Sequence, residues 1–186
     1  EGGEGKVADQ YKKSLFALAE AELEKGTKEG FKKAAEYASR TLSYPDNLGE
    51  GKLDNVPDNH AHYILGLAAR GLGKEEEARK YFMLAAAGSQ VPEPVRYYND
   101  QPSDYIYYQG LAFSELGETK KALKSFHQLI IFGERHIFDR VGYDFFAVSM
   151  PELEVYQDDI KKRSDDYCRE MMRLGHKGLE KIGVTA

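Results

Sequence analysis

"HYILGLAARGLGKEEEARKYFMLAAAG", residues 62–88, contains no cysteine, no serine and no paired histidines, but it recurs. Forty-four residues further on, at 106–132, the chain reads "IYYQGLAFSELGETKKALKSFHQLIIF". Extended to 59–88 and 103–132, the two stretches align without a gap. They share nine identities: Tyr63/Tyr107, Gly66/Gly110, Leu67/Leu111, Ala68/Ala112, Leu72/Leu116, Gly73/Gly117, Ala78/Ala122, Lys80/Lys124 and Phe82/Phe126. Roughly two are expected by chance at average residue frequencies. Ala61, Ile64, Leu65, Ala68, Ala69 and Leu72 fall at helical spacing on one face. Gly73 then stops that helix, because glycine takes the left-handed conformation cheaply. "KEEEA" starts a second helix with acids at its positive end, and Ala78, Tyr81, Phe82, Ala85 and Ala86 form its stripe. Each unit therefore reads as a helical hairpin.

This pattern resembles the tetratricopeptide repeat. Leu65-Gly66, Gly73, Ala78, Phe82 and Ala85 stand where that motif places its Leu-Gly pair, turn glycine, small residue, aromatic and packing alanine. Gly110, Phe113, Gly117, Ala122 and Phe126 repeat it, with Gln109 in place of the usual leucine. A weaker unit precedes these two. "QYKKSLFALAEAELEKG" leads into "FKKAAEYASRTL", with Ala34 forty-four residues before Ala78 and a turn, "KGTKEG", that reads longer than the others. A last first-helix appears in "DDYCREMMRLGHKGL". The resemblance implies an all-α fold, a right-handed α-solenoid of about three and a half hairpins in one domain, residues 1–186. The hairpins are expected at about 9–43, 59–88 and 103–132, an inserted loop at 133–160 and a terminal helix at 161–180.

The period exceeds the roughly 34 residues of that motif. The surplus lies in "SYPDNLGEGKLDNVPDN", "GSQVPEPVRYYNDQPSD" and "GERHIFDRVGYDFFAVSMPELEVYQDD", which hold all six prolines and many aromatics. Disordered linkers are poor in aromatics, so these loops are expected to be ordered. "YPDNLGEGK", "YYNDQPSDYIYYQGLA" and "FGERHIFDRVGYDFFAVSMPE" also resemble the C-terminal repeat region of large bacterial proteins. Those proteins carry an N-terminal β-rich domain of unknown function and are associated with carbohydrate metabolism. The resemblance covers about residues 35–175 and implies the helical accessory module of a carbohydrate-related protein; it carries no catalytic residue over to this chain.

Composition narrows the function classes. The chain has 186 residues, 41% hydrophobic, with 26 basic against 31 acidic residues and a net charge of −5. Nucleic acid is not an expected partner, since the chain lacks a basic stripe to displace phosphate counterions. A membrane is not expected either, for no apolar run approaches the roughly 18 residues of a span. The one cysteine, Cys168, excludes an intrachain disulfide and fits a reducing compartment, so the location reads as cytoplasmic. The chain opens "EGGEGKVADQ" without methionine, which suggests a piece of a longer protein and leaves a removed signal peptide open.

Candidate chemistry is thin. "NLGEGK" lacks the Ser/Thr after its lysine and the preceding strand that a phosphate loop needs. His60 and His62, at i and i+2, point some 200° apart on a helix and cannot share one ion. Glu152, Glu154, Asp158, Asp159, Asp165 and Asp166 could hold a glycosidase pair, but solvation and N-capping explain them more simply. No metal and no cofactor is assigned.

The inner face of the hairpins is the better candidate. Tyr63 and Tyr107 recur at a position expected to face the groove, Phe16 and Met172 fall there in the weaker units, and His60, Arg70 and Asp104 are expected nearby. The alternative is that the tyrosines simply pack against helices or loops. The leading functional reading is a non-catalytic interaction module. Its partner would be a protein or peptide segment, including the upstream domain of the same parent chain, or a second copy. The rival is part of a carbohydrate-active enzyme, in which loop residues Tyr97, Tyr98, Asn99 and Asp100 complete a sugar site. Convergence of Tyr97, Tyr98 and Asp104 on one pocket is the discriminator.

Overall fold

The computed structural model describes residues 6–49, 51–95, 100–141 and 157–184. Among them the regular structure is all helical: α1 (Lys6–Glu24), α2 (Lys28–Arg40), α3 (Asn59–Gly71), α4 (Glu75–Ala85), α5 (Tyr105–Glu115), α6 (Thr119–His136) and α7 (Gln157–Lys181). Each helix packs on the next, and the odd-numbered helices also touch in order, α1 on α3, α3 on α5 and α5 on α7. No helix among the described residues is long and apolar enough to cross a membrane.

The repeated sequence produces repeated geometry. Gly73 and Gly117 take φ of +76° and +77°. Beside them Lys74 N–H donates to Ala69 O at 2.9 Å, and Glu118 N–H to Phe113 O at 2.8 Å. This is the six-to-one bond that satisfies a helix's last carbonyls. Within each hairpin a glycine lies under an aromatic ring: a Cβ on Gly66 would sit 2.5 Å from Phe82 Cε1, and one on Gly110 would strike Phe126. Tyr63 and Phe82 lie 6.0 Å apart at 50°, Tyr107 and Phe126 6.1 Å apart at 51°.

Three boundaries differ from expectation. The first hairpin's turn is not longer: residues 25–27, 72–74 and 116–118 each make a three-residue link. The additional residues instead form another turn at the start of α2, where Thr27 Oγ1 accepts from Gly30 N–H at 3.0 Å and caps the helix. Helix α6 runs past 132 to His136, because Gly133 is buried in a helix crossing rather than ending the helix. A Cβ there would lie 2.5 Å from Cys168 O on α7. Helix α7 starts at Gln157 rather than 161.

The connections that are described are tied down by polar side chains. Lys52 donates to Leu42 O at 3.0 Å and to both Asp58 oxygens at 2.7 and 2.6 Å, closing the loop between α2 and α3. This lysine of "NLGEGK" therefore braces a loop. Asn59 donates to Ala85 O at 2.7 Å and Ala87 O at 2.9 Å, and Gln109 to Ala87 O at 2.6 Å. That contact explains glutamine in a leucine position. Tyr167 on α7 donates its hydroxyl proton to Glu93 O at 3.0 Å and accepts from Ser103 N–H at 2.9 Å. The end of the chain thereby holds the connection between α4 and α5.

Candidate functional site

The odd-numbered helices place three rings in one stack. Phe16 of α1 lies on His60 of α3 with centroids 3.8 Å apart and planes at 28°. His60 lies on Tyr108 of α5 at 3.7 Å and 12°. The imidazole Nε2 is 3.0 Å from Glu20 Oε1. A carboxylate only accepts, so Nε2 carries the proton and Nδ1 is the acceptor in the neutral ring. Burial between the rings lowers the His60 pKa from its ordinary 6.5, outweighing the opposing pull of Glu20. The hydrogen bond from His60 in turn lowers Glu20.

Helix α7 adds positive charge to this region: after the larger effect of the His60 hydrogen bond, Lys177 and Lys181 also lower the Glu20 carboxyl on α1. The Lys177 ammonium sits 5.6 Å from the centroid of the Tyr107 ring. At the edge of the same face Asp104 is an exposed residue, yet partial loss of hydration at its carboxyl pushes it up to about 6, with Lys12 opposing the shift and Asp9 and Glu170 adding to it.

Tyr63 and Tyr107 do not form the open ladder expected of them. They are 7% and 3% exposed, because each ring packs against the phenylalanine of its own hairpin. Burial raises both phenols, and among the described residues the Tyr107 hydroxyl has no hydrogen-bond partner. The tyrosine that joins the stack is the next residue, Tyr108, which is half-buried and edge-on to Tyr107 at 5.1 Å. Phe16 and His60 do lie on the face. Arg70 is a brace: it pairs with Glu115 of α5, reaches Glu75 at 3.9 Å and covers the Phe82 ring at 4.7 Å.

Sequence reading missed Tyr108, Glu20 and Lys177. The signals were present: Tyr108 follows Asp104 by four residues, and Glu20 follows Phe16 by four, so each pair shares a helix face.

The loop candidates lie elsewhere. Tyr97, Tyr98 and Asn99 are outside the described residues, as are Glu152 and Glu154. Asp100 lines a cleft of about 710 Å³ with Asn55, Glu93, Gln101 and Tyr105, and Asp104 is not among its lining residues. Asp165 and Asp166 are engaged by Lys161 and Lys162. His62 faces Tyr81, 6.5 Å away. Cys168 is buried, and that burial raises its thiol. Among the described residues no group of three or more His, Cys, Asp or Glu could hold a metal ion.

No family model matches the chain, and no solved structure matches it.

Proposed function

We propose that this chain is a non-catalytic interaction module, a right-handed tetratricopeptide-like solenoid whose odd-helix face receives a protein segment. The observation that carries the reading is the Phe16–His60–Tyr108 stack, contributed by three separate helices and flanked by Lys12, Lys177 and Asp104. Stacked rings present rigid, amphipathic contact area at low entropy cost. The charges beside them would orient a peptide bearing both signs. The partner we favour is a segment of a neighbouring domain in the same parent protein, a bacterial protein linked to carbohydrate metabolism and resident in the cytoplasm.

A phage-displayed peptide library tests this reading. Enriched peptides are expected to shift the amide resonances of Phe16, His60 and Tyr108, and to lose binding to a folded Tyr108→Ala, Lys177→Glu double variant. Enrichment unaffected by those changes would end the proposal. A second reading rests on the cleft, whose amides, acids and Tyr105 suit a neutral sugar. Titration with maltotriose and cellotriose tests it, and an unmoved Tyr105 resonance at millimolar sugar would remove it.

A further inference from the structure

Asn59 opens α3 and is 7% exposed, and both protons of its side-chain amide are taken. Nδ2 donates to Ala85 O at 2.7 Å and to Ala87 O at 2.9 Å. Carbonyl oxygens only accept, so these two bonds fix which way round the amide lies. Its oxygen, Oδ1, accepts from no group among the described residues. The enclosed side-chain atoms without a partner are Tyr107 Oη and Gln109 Oε1, so Asn59 Oδ1 stays open to solvent. Asn59 lines the cleft between the α2–α3 loop and the α4–α5 connection, and the amide turns its carbonyl edge to that space. A nearly buried acceptor without a donor is costly to keep.

The other lining residues narrow what can meet it. Glu93 is exposed, and its carboxylate joins no ion pair among the described residues. No Lys, Arg or His is among the described lining residues, so an anionic group finds no counter-charge there. Asn55, from the α2–α3 loop, brings an amide that donates as well as accepts. An ammonium offers donors only and would leave that amide's N–H unmatched, whereas a hydroxyl does both. Tyr105, half-buried, adds an aromatic ring to the lining. Both walls are held: Lys52 ties the α2–α3 loop through Asp58, and Tyr167 Oη bridges Glu93 O and Ser103 N–H. A cleft with braced walls loses little freedom when a ligand enters.

Resting on the sugar reading of this cleft, we propose that Asn59 Oδ1 accepts a hydroxyl proton from the bound saccharide and that the Glu93 carboxylate accepts a second. Asn59 then fixes how the sugar sits, because its amide cannot turn without giving up Ala85 O and Ala87 O. A sugar lacking the hydroxyl at that point leaves Oδ1 unmatched, so the site discriminates by hydroxyl pattern rather than by charge. The cleft acts independently of the odd-helix face and of what binds there.

Maltotriose and cellotriose are the probes, titrated to millimolar concentration into the isotope-labelled whole chain while the Asn59 side-chain NH2 pair and the Tyr105 amide are followed by NMR. One of the two sugars is expected to move both signals. The Asn59 protons should stay slow to exchange throughout, since their bonds to Ala85 O and Ala87 O persist. Glu93→Ala, at an exposed position, should weaken that binding by about tenfold. Putrescine, a diammonium without an acceptor, should leave both signals in place. A sugar that moves Tyr105 but not the Asn59 pair would overturn the role of Asn59 and leave the cleft reading standing, while sugars that move neither would remove both. Tighter binding of putrescine than of either sugar would overturn the choice of a hydroxyl, and unaltered affinity in Glu93→Ala would overturn the second contact.

Discussion

A single missing Cβ at Gly66 and at Gly110 lets Phe82 and Phe126 lie against their partner helices. Gly110→Leu should lower stability by about 1–3 kcal/mol through overpacking, measured by urea denaturation. Gly66→Ala adds helix propensity of about 1 kcal/mol but places a carbon 2.5 Å from a ring that is 1% exposed, so the net change should still be a loss. An unchanged midpoint in both variants would contradict the packing. Two titrating residues on the odd-helix face act with opposite sign. His60 holds its proton less readily folded than unfolded, so its contribution is full above 6.5 and is lost as pH falls through its folded value. Asp104 is raised to about 6 from 3.8, so its contribution is present below 3.8 and is lost as pH rises through 6. Asp104→Asn should therefore raise the melting temperature at pH 7 relative to wild type, with the gap closing on acidification. NMR titration should place His60 below 6.5.

At the scale of the element, the hairpins were legible because the chain states them twice, and the errors came from glycines with two meanings. Gly73 and Gly117 end helices, as expected of glycine before a lysine- or glutamate-led restart. Gly133 looks the same in sequence, yet it lies inside α6, where the backbone of α7 leaves no room for a side chain. Nothing within six residues of Gly133 indicates this, since the contact comes from Cys168 and Met172. The start of α2 was hidden for a different reason. "KGTKEG" has two glycines, but Thr27 caps a helix whose first turn includes Gly30, and Gly30 sits where a Cβ would meet Glu22 O at 2.5 Å. Thr27→Ala should cost about 1 kcal/mol by removing that cap, read from the denaturant midpoint. A loss comparable to that of an exposed-loop mutation would mean the cap carries no stability.

Across the whole molecule, the candidate site could not be read in advance, because it joins rings of α1, α3 and α5, which are distant in sequence. Only the folded chain stacks Phe16 and Tyr108 on His60. The tyrosine repeat pointed one residue away from the ring that joins the stack. Long-range packing also makes α7, which lies on α6, indispensable. Its removal would bare Phe126, Leu129, Ile130 and Phe132 of α6, all now 8% exposed or less. Exposing each such side chain costs about 1.5–3 kcal/mol, and a domain has only roughly 5–15 kcal/mol in total. A chain ending at residue 141 should therefore lose its cooperative melting transition or aggregate, as followed by circular dichroism and sedimentation. A sharp, monomeric transition in that truncation would show that the first six helices suffice.

The hydroxyl of Tyr167 gives one amide an unusual reporting role. Ser103 N–H donates to that phenol and lies in a residue 1% exposed. Its proton can therefore trade with solvent deuterium only when α7 has lifted away. Native-state hydrogen exchange at Ser103 should follow the opening free energy of the α7 backbone rather than that of α5, whose first turn it adjoins. Tyr167→Phe should release this proton early while leaving the α7 amides slow. A Ser103 rate that tracks α5 in the unaltered chain would mean that the clasp opens without the helix.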